Sequence, residues 1–586
     1  MPPAGTPALK DREYGRSYPD LPNPDLLSRI PLTARLVVDV GCGTGALGAA
    51  FKRRNPTVRY IGIERDAAAA AVARERLDLV LEADAELAEL PLRPGEAVDC
   101  LIYGDVLEHF VDPWATLRRH TELLAEDGLV LACVPNVENW QVIDALLRGS
   151  WRYEAAGLFD QTHLRWFSLE TMRQALENAG LAPFDVAPRV FAADAAEEFA
   201  TRLGPALEAF GVERAAFLRR AAPLQYVFRA TRRHVSRLFL DAKMLPHIGG
   251  VSQVRIVDPL FALATVPGVT ARLSLGHEPP IVDFSGPKVA LLHRQVLASE
   301  ASIAKIAELL RAGYLLVADF DDHPDAFPLI AQTGHRAFRA VHAVQTSTEA
   351  LATVLRALNP EVAVFPNALP ELPEPKNFAD PACLKLFFGA FNRETDWAPI
   401  MPALNAVLQV ARGRVHIEVV HDRKFFEVLD TADKGFTPTC DHATYLGILG
   451  GCDLALMPLE DTTFNRAKSD LKFVEASGCR VAALASDVVY GESIADDFNG
   501  LLFRDPSGFQ RQLLRAIADP EATRRIADTA RGIVGARRML AGQLAARRAW
   551  YQSLWDQRET LTEALLARTP EISLGHDRMR VISEMQ

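Results

Sequence analysis

Short, mostly apolar runs alternate with stretches of helical period through much of the chain. Leu36–Val40, Tyr60–Ile63, Cys100–Tyr103 and Leu129–Val134 are rich in β-branched and aliphatic residues. They are too short for helices and suit strands covered on both faces. This alternation predicts a parallel sheet layered with helices over about residues 33–190. Residues 192–221 read as helix broken at Gly204-Pro205 and at Gly211, and LQYVFRATRR (224–233) reads as a strand that closes the sheet. A second α/β series opens at Arg237–Ala242, includes Lys288–Leu292 and Tyr314–Val317, and ends at Val362–Phe365. ALPELPEPKNFADPA (368–382) carries four prolines and has the composition of an extended linker. A third series comprises Leu384–Phe388, Val415–Val420, Leu454–Met457, Arg480–Ala485 and Leu501–Phe503. Helix is predicted from Pro506 to about 566. The expected domains are 1–232 (with a helical insertion at 192–221), 236–372, 373–535, a bracing helix at 536–566 and a loose tail at 567–586.

Composition narrows the function. The 586 residues hold 64 Lys+Arg against 75 Asp+Glu, a net charge of −11. That excludes a general nucleic-acid binder, which needs a basic face to displace counterions from phosphates. Seven cysteines lie apart with no CxxC pair. Reduced thiols are expected, with neither structural zinc nor a disulfide framework. No apolar run reaches about 18 residues, and MPPAGTPALKDREYGR has no apolar signal-peptide core. The expected location is cytoplasmic.

The sharpest local pattern is VVDVGCGTGALG (37–48), in which a strand runs into Gly41, Gly43 and Gly45 and then a helix. Glycines at a strand's carboxyl end permit a tight turn and close backbone approach to a ligand. Glu64 ends the next strand 19 residues after Gly45, where a carboxylate accepts from both ribose hydroxyls. Ala46 breaks the dinucleotide GxGxxG spacing. Alone, the pattern also fits any strand–turn–helix of a doubly wound sheet. Asp84 follows a third strand in LVLEADAEL, Asp105 a fourth in DCLIYGDVLEHF, and EDGLVLACVPN is the next strand.

Together these residues resemble the class I S-adenosylmethionine-dependent methyltransferases, a Rossmann-like α/β fold. The resemblance implies that Gly41, Gly43, Gly45 and Asp39 line the methionine end of the cofactor. It carries Glu64 to the ribose, Asp84 to the adenine amine, and Asp105 to the substrate side. An acidic loop suits a sulfonium cation. A hydroxyl acceptor needs a base, and His109 and His163 (in FDQTHLRWFS) are the candidates. His109 also fits plain packing after the fourth strand, and His163 with Arg165 fits bracing of a lid. Trp151, Tyr153, Trp166 and Phe167 either stack on a sugar or pack that lid.

The second strong pattern is FNRAKSDLKFVEASGCRVAALAS (464–486). Ser469 reads as the N-cap of a helix over Asp470–Ser477, and Gly478 as its C′ residue. Lys468 and Lys472 lie near that N-terminus, where dipole and free N–H groups favour an anion. Glu475 is placed to take ribose hydroxyls. The bland alternative is an amphipathic helix with surface lysines.

This segment resembles the donor domain of GT-B glycosyltransferases, a twin Rossmann-like fold. LKLFFGAFNRETDW (384–397) is similar to that domain's first strand and turn, which aims Asn392 and Arg393 at the donor phosphates. MLPHIGGVSQVRIVDPLFAL (244–263) resembles the glycine loop opening the partner domain, with Gly249 and Gly250 near the phosphates. VFPNALP resembles the linker's start. The chain departs in two places: Ala467 stands where an acid is usual, and Thr395-Asp396-Trp397 where a Lys is usual. The resemblance implies a nucleotide-sugar donor, no metal, a catalytic contribution from Glu475 and retention at the anomeric carbon. VADFDDHPDAF offers Asp319, Asp321 and Asp322, a set that invites a metal; capping and acceptor contacts are the preferred reading. His293 and Arg294 end a strand facing the expected cleft, where they fit contact with the acceptor or the transferred sugar and, equally, a satisfied structural histidine.

Arginines after residue 520 interleave with Trp550, Tyr551 and Trp555. They fit a bracing helix and, secondly, peripheral contact with the inner face of a membrane. The expectation is a fusion that methylates a sugar hydroxyl and adds a sugar to a glycan or lipid-linked acceptor in surface polysaccharide assembly. The alternatives are a glycosyltransferase with a non-catalytic cofactor module, or a scaffold.

Overall fold

The computed structural model describes residues 20–233, 235–244, 250–276, 280–281, 284–376 and 383–572. These fall into two compact units that divide at 234/235, with residues 31–33 and 53–57 grouped with the second. The α/β expectation holds: the chain builds three largely parallel sheets.

The first unit contains one sheet. Its strands are β1 (Leu36–Val40), β2 (Arg59–Glu64), β3 (Leu79–Glu82), β4 (Val98–Gly104), β5 (Leu124–Pro135), β6 (Ala182–Arg189) and β7 (Gln225–Thr231). The order is β3-β2-β1-β4-β5-β7-β6. All neighbours are parallel except β7, which runs antiparallel to both β5 and β6. Every residue of β1 is buried, so even Asp39 must find partners inside the fold. The order reverses between β1 and β4, and ligands of open sheets bind outside the carboxyl ends at such a point.

The helix Ala193–Ala209 continues through Gly204-Pro205; it was expected to break there. Proline disfavours helix at the preceding residue partly by clashing with that residue's Cβ, and Gly204 has none. The break at Gly211 occurs, with φ +68°.

The second unit contains two sheets. One has β8 (Leu238–Met244), β9 (Val269–Leu275), β10 (Lys288–His293), β11 (Leu315–Asp319), β12 (Ala343–Thr346) and β13 (Val362–Val364), in the order β13-β12-β11-β10-β8-β9. The other has β14 (Leu384–Gly389), β15 (Val415–Val420), β16 (Lys434–Thr437), β17 (Leu454–Met457), β18 (Ala482–Ser486) and β19 (Leu501–Phe503), in the order β16-β15-β14-β17-β18-β19. Both are wholly parallel. Their switch points lie between β8 and β10 and between β14 and β17.

After the third sheet, the helices Leu544–Asp556 and Arg558–Arg568 return to the second sheet. Leu565 and Ile572 join its apolar core, and Tyr551 donates to Gln345 Oε1 at 2.7 Å. The start of the expected loose tail is therefore packed: Thr569 and Ile572 are buried. The rest of that tail, from 573, lies outside the described residues. All seven cysteines are free thiols. Among the described residues, no helix is long and apolar enough to cross a membrane.

Candidate functional sites

In the first unit, Gly41, Gly43 and Gly45 all have positive φ (77°, 54° and 76°), a conformation that L-residues rarely hold. A Cβ on Gly41 would also sit 2.8 Å from the Val106 side chain. The turn is tied to β2 by two kinds of bond. Gly41 N–H donates to Ile63 O at 2.8 Å, and Gly43 N–H donates to Glu64 Oε2 at 2.9 Å. The other Glu64 oxygen accepts from Asp66 N–H at 2.8 Å. Glu64 thus shapes the glycine turn as well as standing where ribose is expected.

Asp39 is buried beneath this turn and accepts from Tyr60 OH at 3.0 Å. Burial, aided by the nearby Glu64 charge and opposed by the Tyr60 bond, pushes its carboxyl up to about 7. A cation bound at the turn would favour the ionised form. We therefore expect cofactor binding below pH 7 to release a proton, and affinity to fall by up to about tenfold per pH unit below that point. Calorimetry in two buffers of different ionisation enthalpy reads the proton. Tyr60→Phe removes the bond that favours the anion, so the fall should begin at higher pH. In stability the sign is opposite: the raised Asp39 carboxyl supports the fold below its unfolded value near 4 and loses that contribution as pH rises to about 7.

Asp84 is exposed just past β3 and accepts from Glu86 N–H at 3.0 Å. Asp105 follows β4 with φ 53°. Its Oδ1 accepts from Gln225 Nε2 and, at 3.6 Å, from Cys133 Sγ. Gln225 is oriented in turn by Arg189, whose Nε binds Asp25 at 2.7 Å. Burial pushes the Asp105 carboxyl up to about 6 against the pull of Arg189.

A cavity of about 220 Å³ opens here. Asp105, Glu108, His109, Asp160, His163 and Gln225 line it, with Pro135, Gly157, Leu158 and Leu224. The two candidate histidines come together: their rings meet edge-on at 4.8 Å. His109 Nδ1 donates to Thr162 O and Oγ1, both at 3.1 Å. Thr162 donates its own proton to Asp160 at 2.6 Å, so the tautomer with the proton on Nδ1 is favoured. Glu108, His109 and His163 hold donor atoms within 4.8 Å of one another. No metal was expected, yet this trio has the donor types that bind a divalent cation. Trp151 packs on Trp166 and Phe159, Phe167 is buried, and Tyr153 stays exposed.

In the second unit the cations converge differently from the sequence expectation. Helix Leu471–Gly478 starts one residue later, with Asp470 at the cap position and no side-chain cap bond. Ser469 is not the cap; its hydroxyl accepts from Asn367 Nδ2 at 2.8 Å. Gly478 is the last helical residue, and Arg480 (φ 62°) takes the left-handed position instead. Gly478 is small for another reason: a Cβ would meet Leu369 Cδ1 at 2.3 Å.

Lys472 Nζ donates to Gly389 O at 2.6 Å at the end of β14. Burial, together with Arg393 and Lys468, brings its ammonium down to about 8. Lys468 binds Asp322 at 3.1 Å, and burial lowers it too. Arg393 bonds Asn465 Oδ1 at 3.1 Å and Asp396 Oδ2 at 3.3 Å. It follows Asn392, whose φ is 50°. Asp396, where the GT-B resemblance leads one to expect a lysine, accepts from Asn465 and from Glu460 N–H. Ala467 is packed in an apolar core, where an unpaired acid would be costly.

Glu475 binds His442 Nε2 at 2.7 Å. Burial pulls the His442 imidazole down, but Glu475, Asp258 and Asp441 more than offset it and leave it raised. Gly250 lies against His442: a Cβ there would come within 2.7 Å of the ring. Gly249 lies outside the described residues. Asp319, Asp321 and Asp322 do not gather as ligands; Arg255 and His293 hold Asp319, and Arg294 and Lys468 hold Asp322. His442, Asp396, Asp160, Thr162 and Gln225 were not foreseen as site residues. Only FDQTH, which also holds His163, gave any signal.

The family model described as a methyltransferase domain matches residues 14–185. The chain is 29% identical over 184 residues to the ubiquinone biosynthesis O-methyltransferase of Dinoroseobacter shibae, covering 30% of this chain and 69% of that one. It is 34% identical over 116 residues to the trans-aconitate 2-methyltransferase of Paracidovorax citrulli, covering 20% and 45%. Among solved structures, a SAM dependent methyltransferase from Archaeoglobus fulgidus is 18% identical, with 34% of this chain and 86% of that chain covered and a TM-score of 0.24.

Proposed function

We propose, from the premise that the N-terminal unit is a class I S-adenosylmethionine-dependent methyltransferase domain, that the chain is a bifunctional transferase. Its first unit methylates a hydroxyl of a saccharide. Its second unit, read as a GT-B glycosyltransferase, moves a sugar from a nucleotide sugar to a glycan or lipid-linked acceptor at the cytoplasmic face, in surface polysaccharide assembly.

S-adenosylmethionine, when bound, supplies a methyl group on a good leaving group. The chain's own work is to hold the cation, orient the acceptor and accept a proton. Gly41–Gly45, Asp39 and Glu64 form an acidic cradle, which fits a sulfonium and would repel a pyrophosphate. Asp105 and Gln225 offer hydrogen bonds to acceptor hydroxyls. His109, with its proton held on Nδ1 by Thr162, presents Nε2 as acceptor. The cavity residues include carboxylates and no Lys or Arg. That disfavours a polycarboxylate acceptor such as trans-aconitate and supports a neutral hydroxyl compound.

The observation that carries the glycosyltransferase reading is the meeting of Arg393, Lys468 and Lys472 at the switch point of the third sheet. Like charges crowded together in a buried place are matched to an anion. A cleft of about 420 Å³ beside them, lined by His323 and Val354 on one side and Asp461 and Arg466 on the other, is suited to the acceptor.

Calorimetric titration of the full chain with S-adenosylmethionine and then with UDP- and GDP-sugars tests the proposal. Both classes should bind, each unaffected by the other. Binding of the first alone would reduce the chain to a methyltransferase with a companion module. Binding of neither would leave a scaffold.

A further inference from the structure

The first sheet carries a relay of side chains that the glycine turn does not account for. Pro135 ends β5, Arg189 ends β6 and Gln225 begins β7, and the three are in register. Pro135 and Gln225 line the cavity of about 220 Å³ together with Asp105. Arg189 is anchored first: its Nε donates to Asp25 Oδ2 at 2.7 Å, on the short helix Pro24–Leu27. Its Nη1 donates to Gln225 Oε1. A guanidinium has only donors, so Gln225 must turn its carbonyl to Arg189 and its NH2 to Asp105. Gln225 Nε2 donates to Asp105 Oδ1, and Cys133 Sγ donates to the same oxygen at 3.6 Å.

Among the described residues, Asp105 Oδ2 receives no hydrogen bond. Oδ1 faces two donors, so a proton on this carboxyl rides on Oδ2. The relay fixes one oxygen and leaves the other open, on a residue that lines the cavity. Position matters as well. The next residue, Val106, packs where a Cβ on Gly41 would sit, so Asp105 adjoins the glycine turn read as the cofactor cradle. His109 is the other proton acceptor in the cavity. It ends the turn Leu107–His109, past Val106, and is held by Thr162. An acceptor hydroxyl must reach methyl donor and base together, and Asp105 stands at that seam.

We propose that Asp105 is the catalytic base of the methyl transfer, and that Gln225 and Arg189 are positioning residues that keep its Oδ2 open to the acceptor. The inference rests on the reading of the first unit as a methyltransferase acting on a sugar hydroxyl. The acceptor O–H gives its proton to Asp105 Oδ2 as its oxygen bonds to the methyl carbon. The bond from that carbon to sulfur breaks, and its electron pair stays on sulfur, which loses its positive charge. His109 is left to hydrogen-bond a neighbouring hydroxyl. Burial pushes the Asp105 carboxyl up to about 6, while Arg189 and the Cys133 bond favour the anion. Asp25 behind Arg189 and Glu108 near Cys133 complete the charged groups around it.

The full-length protein is incubated with S-adenosylmethionine and the methyl glycosides of rhamnose, mannose, galactose and N-acetylglucosamine, and kcat/KM is followed against pH. It should fall about tenfold per pH unit below about 6. Asp105→Asn should lower kcat by about 100-fold or more and leave S-adenosylhomocysteine affinity within about threefold. Gln225→Leu and Arg189→Met should each move the acid limb to higher pH, and Arg189→Lys should move it back. A purely structural role would lower the rate without moving the limb. Carbon-13 NMR of protein labelled at aspartate Cγ reads the group without turnover. The resonance lost in Asp105→Asn should titrate near 6 and follow the same shifts. Asp105→Asn within about twofold of wild type overturns the inference, as does an acid limb that neither Gln225→Leu nor Arg189→Met moves. If Asp105→Asn does not fold, the two limbs decide alone. If no glycoside is methylated, the sugar-hydroxyl reading fails and this inference with it; methylation that survives Asp105→Asn overturns only the inference.

Discussion

Replacing Glu64 with alanine is expected to weaken S-adenosylmethionine binding by about 100-fold or more. Both of its oxygens already accept backbone N–H groups, from Gly43 and from Asp66, and each keeps a lone pair for a ribose hydroxyl. Hydrogen bonds to a charged group are worth about 1.5–3 kcal/mol each. Losing two toward the ligand costs about 3–6 kcal/mol, which is at least two orders of magnitude in Kd. Release of the Gly41–Gly45 turn adds to this. Glu64→Gln is the sharper variant. Both backbone partners are donors, so an amide can satisfy only one and sets its NH2 against the other. Glutamine should therefore fail nearly as badly as alanine. Calorimetry measures the affinity, and circular dichroism checks that the fold survives. A Gln variant within about threefold of wild type would mean that the carboxylate organises neither turn nor ribose.

The continuous apolar runs were legible because a strand buried on both faces has no polar alternation to mislead the eye. β1, β15, β17 and β19 appear with the expected limits. The strands not foreseen are those where burial is partial or the segment is short. β6 contains Pro183 and Pro188 and lies at the sheet's edge, where proline is tolerated. β16, KGFT, is a half-buried edge strand with one large apolar residue. β9, VTARLSL, mixes exposed and buried positions. β12 is only AVQT, and its Gln345 is polar because Asp319 and Tyr551 need it.

The site was legible where it depends on local chain geometry and opaque where it depends on distant partners. The glycine turn follows from sequence because only glycine sits easily at those φ values. A left-handed non-glycine residue stands at a strand end of each switch point: Asp105, Arg294 and Asn392. Asp and Asn enter that region more readily than most residues, but nothing in the spacing marks these positions, and Asp105 and Arg294 are held there by distant partners, Gln225 and Asp322. The partners of Glu475 and Lys468, His442 and Asp322, come from segments 33 and 146 positions away in the chain, and no spacing in a single sequence reveals them. The Ser469 cap misled for a related reason: its hydroxyl was taken by Asn367, 102 positions off.

Lys472→Met should weaken binding of UDP or GDP by about 100-fold, and the wild-type pH profile should show why. The free ammonium is brought down to about 8 by burial and by its neighbours Arg393 and Lys468. A diphosphate beside it favours the charged form. Below about pH 8 the lysine already holds its proton, and affinity should be flat. Above that value the free protein must take up a proton to bind, so affinity should fall by about tenfold per pH unit. Stability should move the other way. The folded value lies below the unfolded value of 10.5, so the unfolded chain holds more protons between about 8 and 10.5, and the fold gains as pH rises through that window. A folding stability that climbs while nucleotide affinity drops, over the same pH range, distinguishes a buried anion-binding lysine from a structural one. In Lys472→Met both slopes should vanish together. A methionine variant that binds UDP and GDP like wild type would remove Lys472 from the phosphate site and leave its bond to Gly389 as its only role.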